Sequence, residues 1–259
     1  MERRGEILGY DEAGEGPALV LVHGFPFDRR LWAGQLRGLS NIRRVVAPDL
    51  RGRGLSAAIA AEGATIDTHA DDVAATIASL GVEQADVAGL SMGGYVAFAL
   101  WRRHPELVRS LILADTRAGP DSPDGKRSRE ATADLVRAGE VEALADAMLV
   151  RLLSPGTGGE VRRRIRTMFR ETPATTSVAD LIAMRDRPDS WPDMGTIGVP
   201  ALVLRGDEDT LTSPEEAESQ ARAILQARCV TIPGAGHVSP LENPAAFNAA
   251  VREFLEPAS

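Results

Sequence analysis

Ser91 stands in the run Gly89-Leu90-Ser91-Met92-Gly93, followed by Gly94. A serine hydroxyl is a weak nucleophile until a base takes its proton, and the chain offers four histidines, His23, His69, His104 and His237. His69 lies beside Asp71 and Asp72 in a polar helical stretch and reads as exposed. His104 precedes Pro105 after an apolar run and reads as a cation complementing a helix C-terminus. His23 sits in His23-Gly24-Phe25-Pro26, directly after a strand-like run and before the serine. His237 closes Gly234-Ala235-Gly236-His237, in a loop past the last strand-like run that can reach the top of a sheet. By elimination, His237 is the base. Its imidazole needs an acid to fix the tautomer and stabilise the imidazolium. Asp115, Asp207 and Asp209 each follow a strand-like run between Ser91 and His237, and position alone leaves all three open. The chemistry such a set performs is acyl transfer.

Elements must hold these residues together. Apolar runs without alternation occur at Ala18–Val22, Arg44–Ala47, Asp86–Leu90, Ser110–Ala114, Ala201–Leu204 and Cys229–Ile232. Bounded by turn residues, they suit strands of a parallel sheet buried on both faces. Helical patterns lie between them. Thr68–Leu80 puts Val73, Ile77 and Leu80 on one stripe before Gly81, and Met92–His104 is apolar with Arg102 and Arg103 near its end. Pro214–Ala227 has Ser213 as a cap, and Pro244–Leu255 has Asn243. This β–α alternation predicts an α/β fold with a mostly parallel, doubly wound sheet. The interruption is 117–197, where helices are expected at Lys126–Ala138, Glu140–Leu153, Gly159–Arg170 and Ala174–Met184. The expected organisation is a core of 1–116 and 198–259, with 117–197 as a helical cap over the carboxyl ends of the strands, where ligands bind in open α/β sheets.

Composition narrows the function classes. The chain has 259 residues and a formal net charge of −8, a balance that disfavours nucleic-acid binding. The basic run at Arg162, Arg163, Arg164, Arg166 and Arg170 reads as the solvated face of a helix whose other side carries Val161, Ile165, Met168 and Phe169. The charged opening Met1-Glu2-Arg3-Arg4 precedes no stretch of signal-peptide character, and no apolar run is long enough for a membrane span. A cytoplasmic location without membrane association is expected. The single cysteine, Cys229, excludes an intrachain disulfide and a zinc cage, and its apolar surroundings predict a buried, inert thiol. No phosphate-binding loop, dinucleotide fingerprint or metal-ligand cluster is present, so no cofactor is expected.

The strand-to-helix setting of Ser91 matches a nucleophile elbow, in which Gly89 and Gly93 remove Cβ atoms where the chain crowds. With it go H-G-F-P at 23–26, D-L-R-G-R-G-L-S at 49–56, R-G-D-E-D-T-L-T-S-P at 205–214 and G-A-G-H-V-S-P-L-E-N-P at 234–244. Together these resemble the α/β-hydrolase superfamily along nearly the whole chain outside the cap. The resemblance implies a serine hydrolase with the order Ser91, Asp209, His237; the acid usually lies three residues after the glycine that ends its strand. It also implies an oxyanion hole from the backbone N–H groups of Phe25 and Met92, and a scaffold role for Asp49, Arg51, Gly52, Gly54 and Ser56. The expected activity is carboxylic ester hydrolysis through an acyl-enzyme on Ser91, with short- to medium-chain or aromatic esters as small-molecule substrates. Phe25, Met148, Leu152, Met168, Met184, Trp191 and Val238 are expected to line the pocket. Within the superfamily the chain also resembles 3-oxoadipate enol-lactone hydrolases, perhydrolases and carbon–carbon bond hydrolases. A small-ligand receptor on the same fold is the reading from another class.

Overall fold

The computed structural model describes residues 5–256; the charged opening at Met1–Arg4 lies outside them. Within the described residues the apolar runs form parallel strands: β2 (Ala18–Val22), β3 (Arg44–Pro48), β4 (Ala85–Leu90), β5 (Val108–Ala114), β6 (Ala201–Gly206) and β7 (Ala227–Ile232). A short strand, β1 (Tyr10–Ala13), pairs antiparallel with β3 and closes one edge, giving the order β1-β3-β2-β4-β5-β6-β7. Its polar run Tyr10-Asp11-Glu12-Ala13 lacks the apolar pattern that reveals the others.

Successive residues along β2 to β5 feed two apolar clusters, one on each sheet face: Val20, Val22, Val87 and Leu113 on one, Leu19, Leu21, Leu90 and Ile112 on the other. This two-faced burial is why these strands lack alternation. β7 departs from that expectation. It is an edge strand, mostly exposed up to Ile232, and Cys229 is exposed on it.

Helices cover both faces. They are α1 (Ala33–Leu39), α2 (Ile66–Ser79), α3 (Met92–Arg103), α9 (Pro214–Ala223), α10 (Ser239–Glu242) and α11 (Pro244–Leu255), with α4 to α8 between β5 and β6. The polar side chains before them act as caps: Thr65 and Thr68 form a capping box on α2, Ser213 accepts from Glu216 N–H, and Asn243 accepts from Ala246 N–H. α9 stops at Ala223, short of Ala227, because the chain turns into the sheet, where Gln226 C=O accepts from Ala201 N–H at 2.9 Å. α1 carries Gly34 and Gly38, poor helix formers, and is held by packing on α11. No helix among the described residues is long and apolar enough to cross a membrane.

The stretch between β5 and β6 is helical: α4 (Pro123–Arg137), α5 (Val141–Leu152), α6 (Gly159–Glu171), α7 (Ala174–Arg185) and α8 (Trp191–Met194). On α6, Ile165, Met168 and Phe169 are buried, Arg163 and Arg170 are exposed, and Arg162, Arg164 and Arg166 are half-buried, so the basic face is only partly solvated. A buried ionic cluster ties this insert to the sheet. Arg53, in the loop after β3, donates to Asp180 of α7 and, at 3.0 Å, to Phe27 C=O. His69 of α2 pairs with the other Asp180 oxygen at 3.2 Å. His69 is therefore buried, not exposed, because an insert residue supplies its partner. Burial opposes the charge on Asp180, but Arg53 and His69 overcome it and hold the carboxyl below its ordinary range.

Removing one partner of a buried ion pair strands the other charge, at a cost of roughly 3–5 kcal/mol. Asp180→Ala is expected to lose stability in that range on urea denaturation, with the double change Asp180→Leu, Arg53→Met losing less. A loss under about 1 kcal/mol, the range of a solvated surface pair, would contradict this account.

Candidate active site

The order of the strands decides where the site lies. The chain passes from β2 outward to β3 and then returns past β2 to β4. Loops leaving β2 and β4 therefore diverge and open a crevice at their carboxyl ends. The turn after β4 is tight. A Cβ on Gly89 would lie 2.1 Å from Gly93 C=O, and one on Gly93 would lie 2.1 Å from Val22 C=O. Only hydrogen fits at either position. Ser91, between them, is forced to φ 52°, ψ −112° at the N-terminus of α3, with its hydroxyl left free of the helix. Its N–H is held by Ala114 C=O at 2.9 Å and its C=O by the Thr116 hydroxyl at 2.7 Å.

The Ser91 hydroxyl donates to His237 Nε2 at 2.8 Å, and His237 Nδ1 donates to Asp209 Oδ2 at 2.9 Å. The other Asp209 oxygen accepts from the N–H groups of Leu211 at 2.7 Å and Thr212 at 3.2 Å. Burial opposes ionisation of Asp209, yet His237 and these N–H groups keep its carboxyl below the ordinary range. Burial likewise opposes charge on His237, but the Asp209 carboxylate outweighs it and raises the imidazole above its ordinary value. Such a relay can withdraw the serine proton as oxygen attacks an acyl carbon.

The structure separates the three aspartates. Asp207 is exposed and accepts from Ala235 N–H at 3.1 Å, a turn contact. Asp115 is fully buried at φ 47°, accepting from Gly206 N–H at 2.8 Å and from the Ser239 hydroxyl. Burial, then the nearby Asp209 charge, pushes it up to about 7.

The loop after β2 packs on the elbow, since a Cβ on Gly24 would lie 3.1 Å from Ser91 Cβ. This places the Phe25 backbone beside the serine, and the Phe25–Pro26 peptide is cis. Met92 N–H is the first of α3, one of the N–H groups that no helical carbonyl takes. His23 braces the loop: its Nδ1 donates to Gly24 C=O at 2.9 Å and its Nε2 accepts from Leu50 N–H at 3.0 Å. Asp49, behind it, accepts from Arg29 N–H at 2.8 Å and Leu55 N–H at 2.7 Å. His104 caps α3 and pairs with Asp71 at 2.8 Å, away from Ser91.

A cavity of about 550 Å³ opens over Ser91 and His237. Of the expected pocket residues, Phe25, Met148, Leu152 and Met184 line it, together with Leu181. Met168, Trp191 and Val238 do not. Met168 and Val238 are buried in the apolar cluster of one sheet face, and Trp191 packs beside Gly119. The expected lining was apolar, whereas Tyr95, Arg117, Asp121, Arg129 and Arg151 also face the cavity. Charged residues in loops and on solvated helices have no periodic signature, so their inward aim was not legible.

Glu242 was also missed. One of its oxygens accepts from the N–H groups of Gly236 at 3.0 Å and Val238 at 3.2 Å, on either side of His237. The other accepts from Ser154 N–H at 2.8 Å and from the Thr157 hydroxyl. The signal was a carboxylate five positions after the histidine, in a stretch otherwise lacking charge.

The family model described as "Alpha/beta hydrolase family" matches residues 19–250. A pimeloyl-acyl-carrier-protein methyl ester esterase of Neisseria meningitidis is 31% identical, covering 92% of this chain and 93% of its own. Among solved structures, a thermophilic esterase from Thermogutta terrifontis is 40% identical with a TM-score of 0.92, over 96% of this chain and 92% of that one. The enol-lactonase from Burkholderia xenovorans LB400 is 33% identical with a TM-score of 0.86, over 96% of each chain.

His23 generates a pH test. Burial, and then the Arg53 charge, push it down to about 4. An unfolded histidine takes its proton near 6.5, so between about 6.5 and about 4 only the unfolded chain binds that proton. Stability is therefore expected to fall as pH falls through this window. Long-range 1H–15N spectra should show His23 neutral, protonated on Nδ1, throughout it. A His23 that titrates near its ordinary value would refute the assignment.

Proposed function

Since the chain belongs to the α/β-hydrolase family and is a hydrolase, we propose that it cleaves carboxylic esters through an acyl-enzyme on Ser91. The single observation that carries this reading is the continuous Ser91–His237–Asp209 relay, at 2.8 Å and 2.9 Å, opening onto the cavity.

In this reading His237 Nε2 accepts the hydroxyl proton as Ser91 Oγ attacks the ester carbonyl carbon. The oxyanion is held by the N–H groups of Phe25 and Met92, donors of a kind whose loss typically costs roughly 10²–10³ in rate. His237 then protonates the leaving alcohol. A water enters, gives its proton to His237 and attacks the acyl carbon, and Ser91 recovers its proton as the acid departs. Asp209 keeps the His237 proton on Nδ1 and stabilises the imidazolium. Residues 117–197 act as the cap that shapes the substrate cavity.

Enol-lactone opening is the second reading, favoured by the 33% identity to the Burkholderia enol-lactonase over nearly the whole chain. A lactone is a cyclic ester, so the same residues serve both. Against the receptor reading stands the aligned relay, which a ligand-holding protein does not need.

Hydrolysis of a p-nitrophenyl ester series, acetate through decanoate, tests the proposal. Ser91→Ala is expected to abolish turnover, Asp209→Asn to cost roughly 10⁴-fold, and Asp207→Asn to leave the rate near wild type. The base must be neutral to act, so kcat/KM should fall as pH falls through the His237 value, which Asp209 holds above 6.5. With Asp209→Asn that acid limb should move to lower pH, since burial then dominates. Equal rates for wild type and Ser91→Ala would overturn the proposal. An Asp209→Asn rate near wild type would overturn the acid assignment alone.

A further inference from the structure

The polar side of the cavity is built around one carboxylate. Asp121, 7% exposed, takes Arg187 on Oδ1 at 2.8 Å and Arg129 on Oδ2 at 3.0 Å. Arg117 reaches the same Oδ1 only at 3.5 Å. Three guanidinium groups thus share one carboxylate, and both of its oxygens are already engaged at shorter distances. Arg187 is spent on structure: it donates to Met184 C=O at 2.7 Å and Gly119 C=O at 2.8 Å, and lies 4.1 Å over the Tyr95 ring. Arg129 is the second partner of Asp121. Arg117 is the cation left over, with its side chain 43% exposed and lining the cavity that holds Ser91.

The carboxylates around it each hold another partner as well. Glu216 attracts Arg117, but its Oε1 accepts from Ala118 N–H at 3.2 Å. Asp124 lines the cavity at its exposed rim and pairs with Arg127. Arg151 of α5 lines the same cavity and makes no ion pair among the described residues. The Tyr95 side chain lies beside Arg117 and also lines the cavity, one helical turn along α3 from Ser91. A guanidinium facing a partly closed cavity, holding its own carboxylate only by a long, shared contact and flanked by a tyrosine, matches the planar fork of a substrate carboxylate.

We propose that Arg117, supported by Tyr95 and Arg151, is a carboxylate subsite, and that the preferred substrates are open-chain esters carrying a second, free carboxylate. This rests on the ester-hydrolase reading for the reaction, but the binding claim is separate from turnover. Arg117 acts on the remote end of the substrate, so it sets specificity and takes no part in proton transfer.

The test compares monoethyl glutarate with ethyl pentanoate, which match in chain length and differ in a carboxylate against a methyl. Wild type is expected to favour the half-ester in kcat/KM. Arg117→Gln should cost roughly ten- to hundredfold on it, mainly through KM, with ethyl pentanoate little changed. Arg117→Lys should restore part of the preference, and added salt should erode it. Independently of turnover, Ser91→Ala should bind glutarate in calorimetry, and Ser91→Ala with Arg117→Gln should not. Hydrolysis of both esters with no preference for the half-ester, or an equal effect of Arg117→Gln on both, overturns the subsite. Glutarate binding that depends on Arg117, without hydrolysis of either ester, leaves the subsite standing and removes the ester-hydrolase reading. Neither hydrolysis nor glutarate binding removes both.

Discussion

The closeness of the β2 and β4 ends is the constraint from which the site follows. Gly93 lies against the Val22 carbonyl so tightly that no side chain fits, and Gly89 lies equally tightly against Gly93. That contact bends the chain sharply between strand and helix and puts Ser91 at φ 52°, a region a serine enters at a cost of about 1–3 kcal/mol. Two bonds fix the strained residue, from its N–H to Ala114 and from Thr116 to its carbonyl. The same approach brings Gly24 against the serine Cβ, so the loop carrying Phe25 has little freedom to stand elsewhere. Serine position and the neighbouring N–H donors are thus consequences of one packing contact.

Two carboxylates then compete for influence over one imidazole. Asp209 gains the His237 hydrogen bond and two backbone N–H groups, enough to keep it ionised although buried. Asp115 has a backbone N–H and a hydroxyl, is wholly buried, and feels the Asp209 charge, so it holds a proton far more readily. Two charges beside one imidazolium would be costly, and the environments push the two values apart. Asp115 also grips Gly206 N–H, at the end of β6 where the turn to Asp209 begins. It thereby helps to place the turn that carries Asp209.

Much of this was legible in the sequence, for physical reasons that can be named. Strands β2 to β6 announce themselves because burial on both faces leaves no polar alternation. Gly89, Ser91 and Gly93 are readable because steric exclusion permits few alternatives there. The choice of Asp209 over Asp115 and Asp207 was not available from position and came from family resemblance. His69 was misread because its partner, Asp180, is 111 residues away. Cys229 was misread because an apolar edge strand looks like a central one until its neighbours are counted. The polar lining of the cavity escaped because Arg117 lies in a loop and Arg129 on a helix with a mostly solvated face.

The insert is mechanically joined to the relay. His237 N–H is held by Leu152 C=O of α5 at 2.8 Å, and Leu152 itself lines the cavity. Glu242 clasps the N–H groups flanking His237 with one oxygen and the turn after α5 with the other. At the far side, Arg53 joins α7 to the Phe27 carbonyl, in the loop that begins with His23 and Gly24. The insert thus grips both the loop bearing the imidazole and the loop beside the serine. A residue change in α5 that widens the cavity also perturbs the support of His237. Selection of a substrate and orientation of the base therefore draw on the same helix, and neither can be altered without a response in the other.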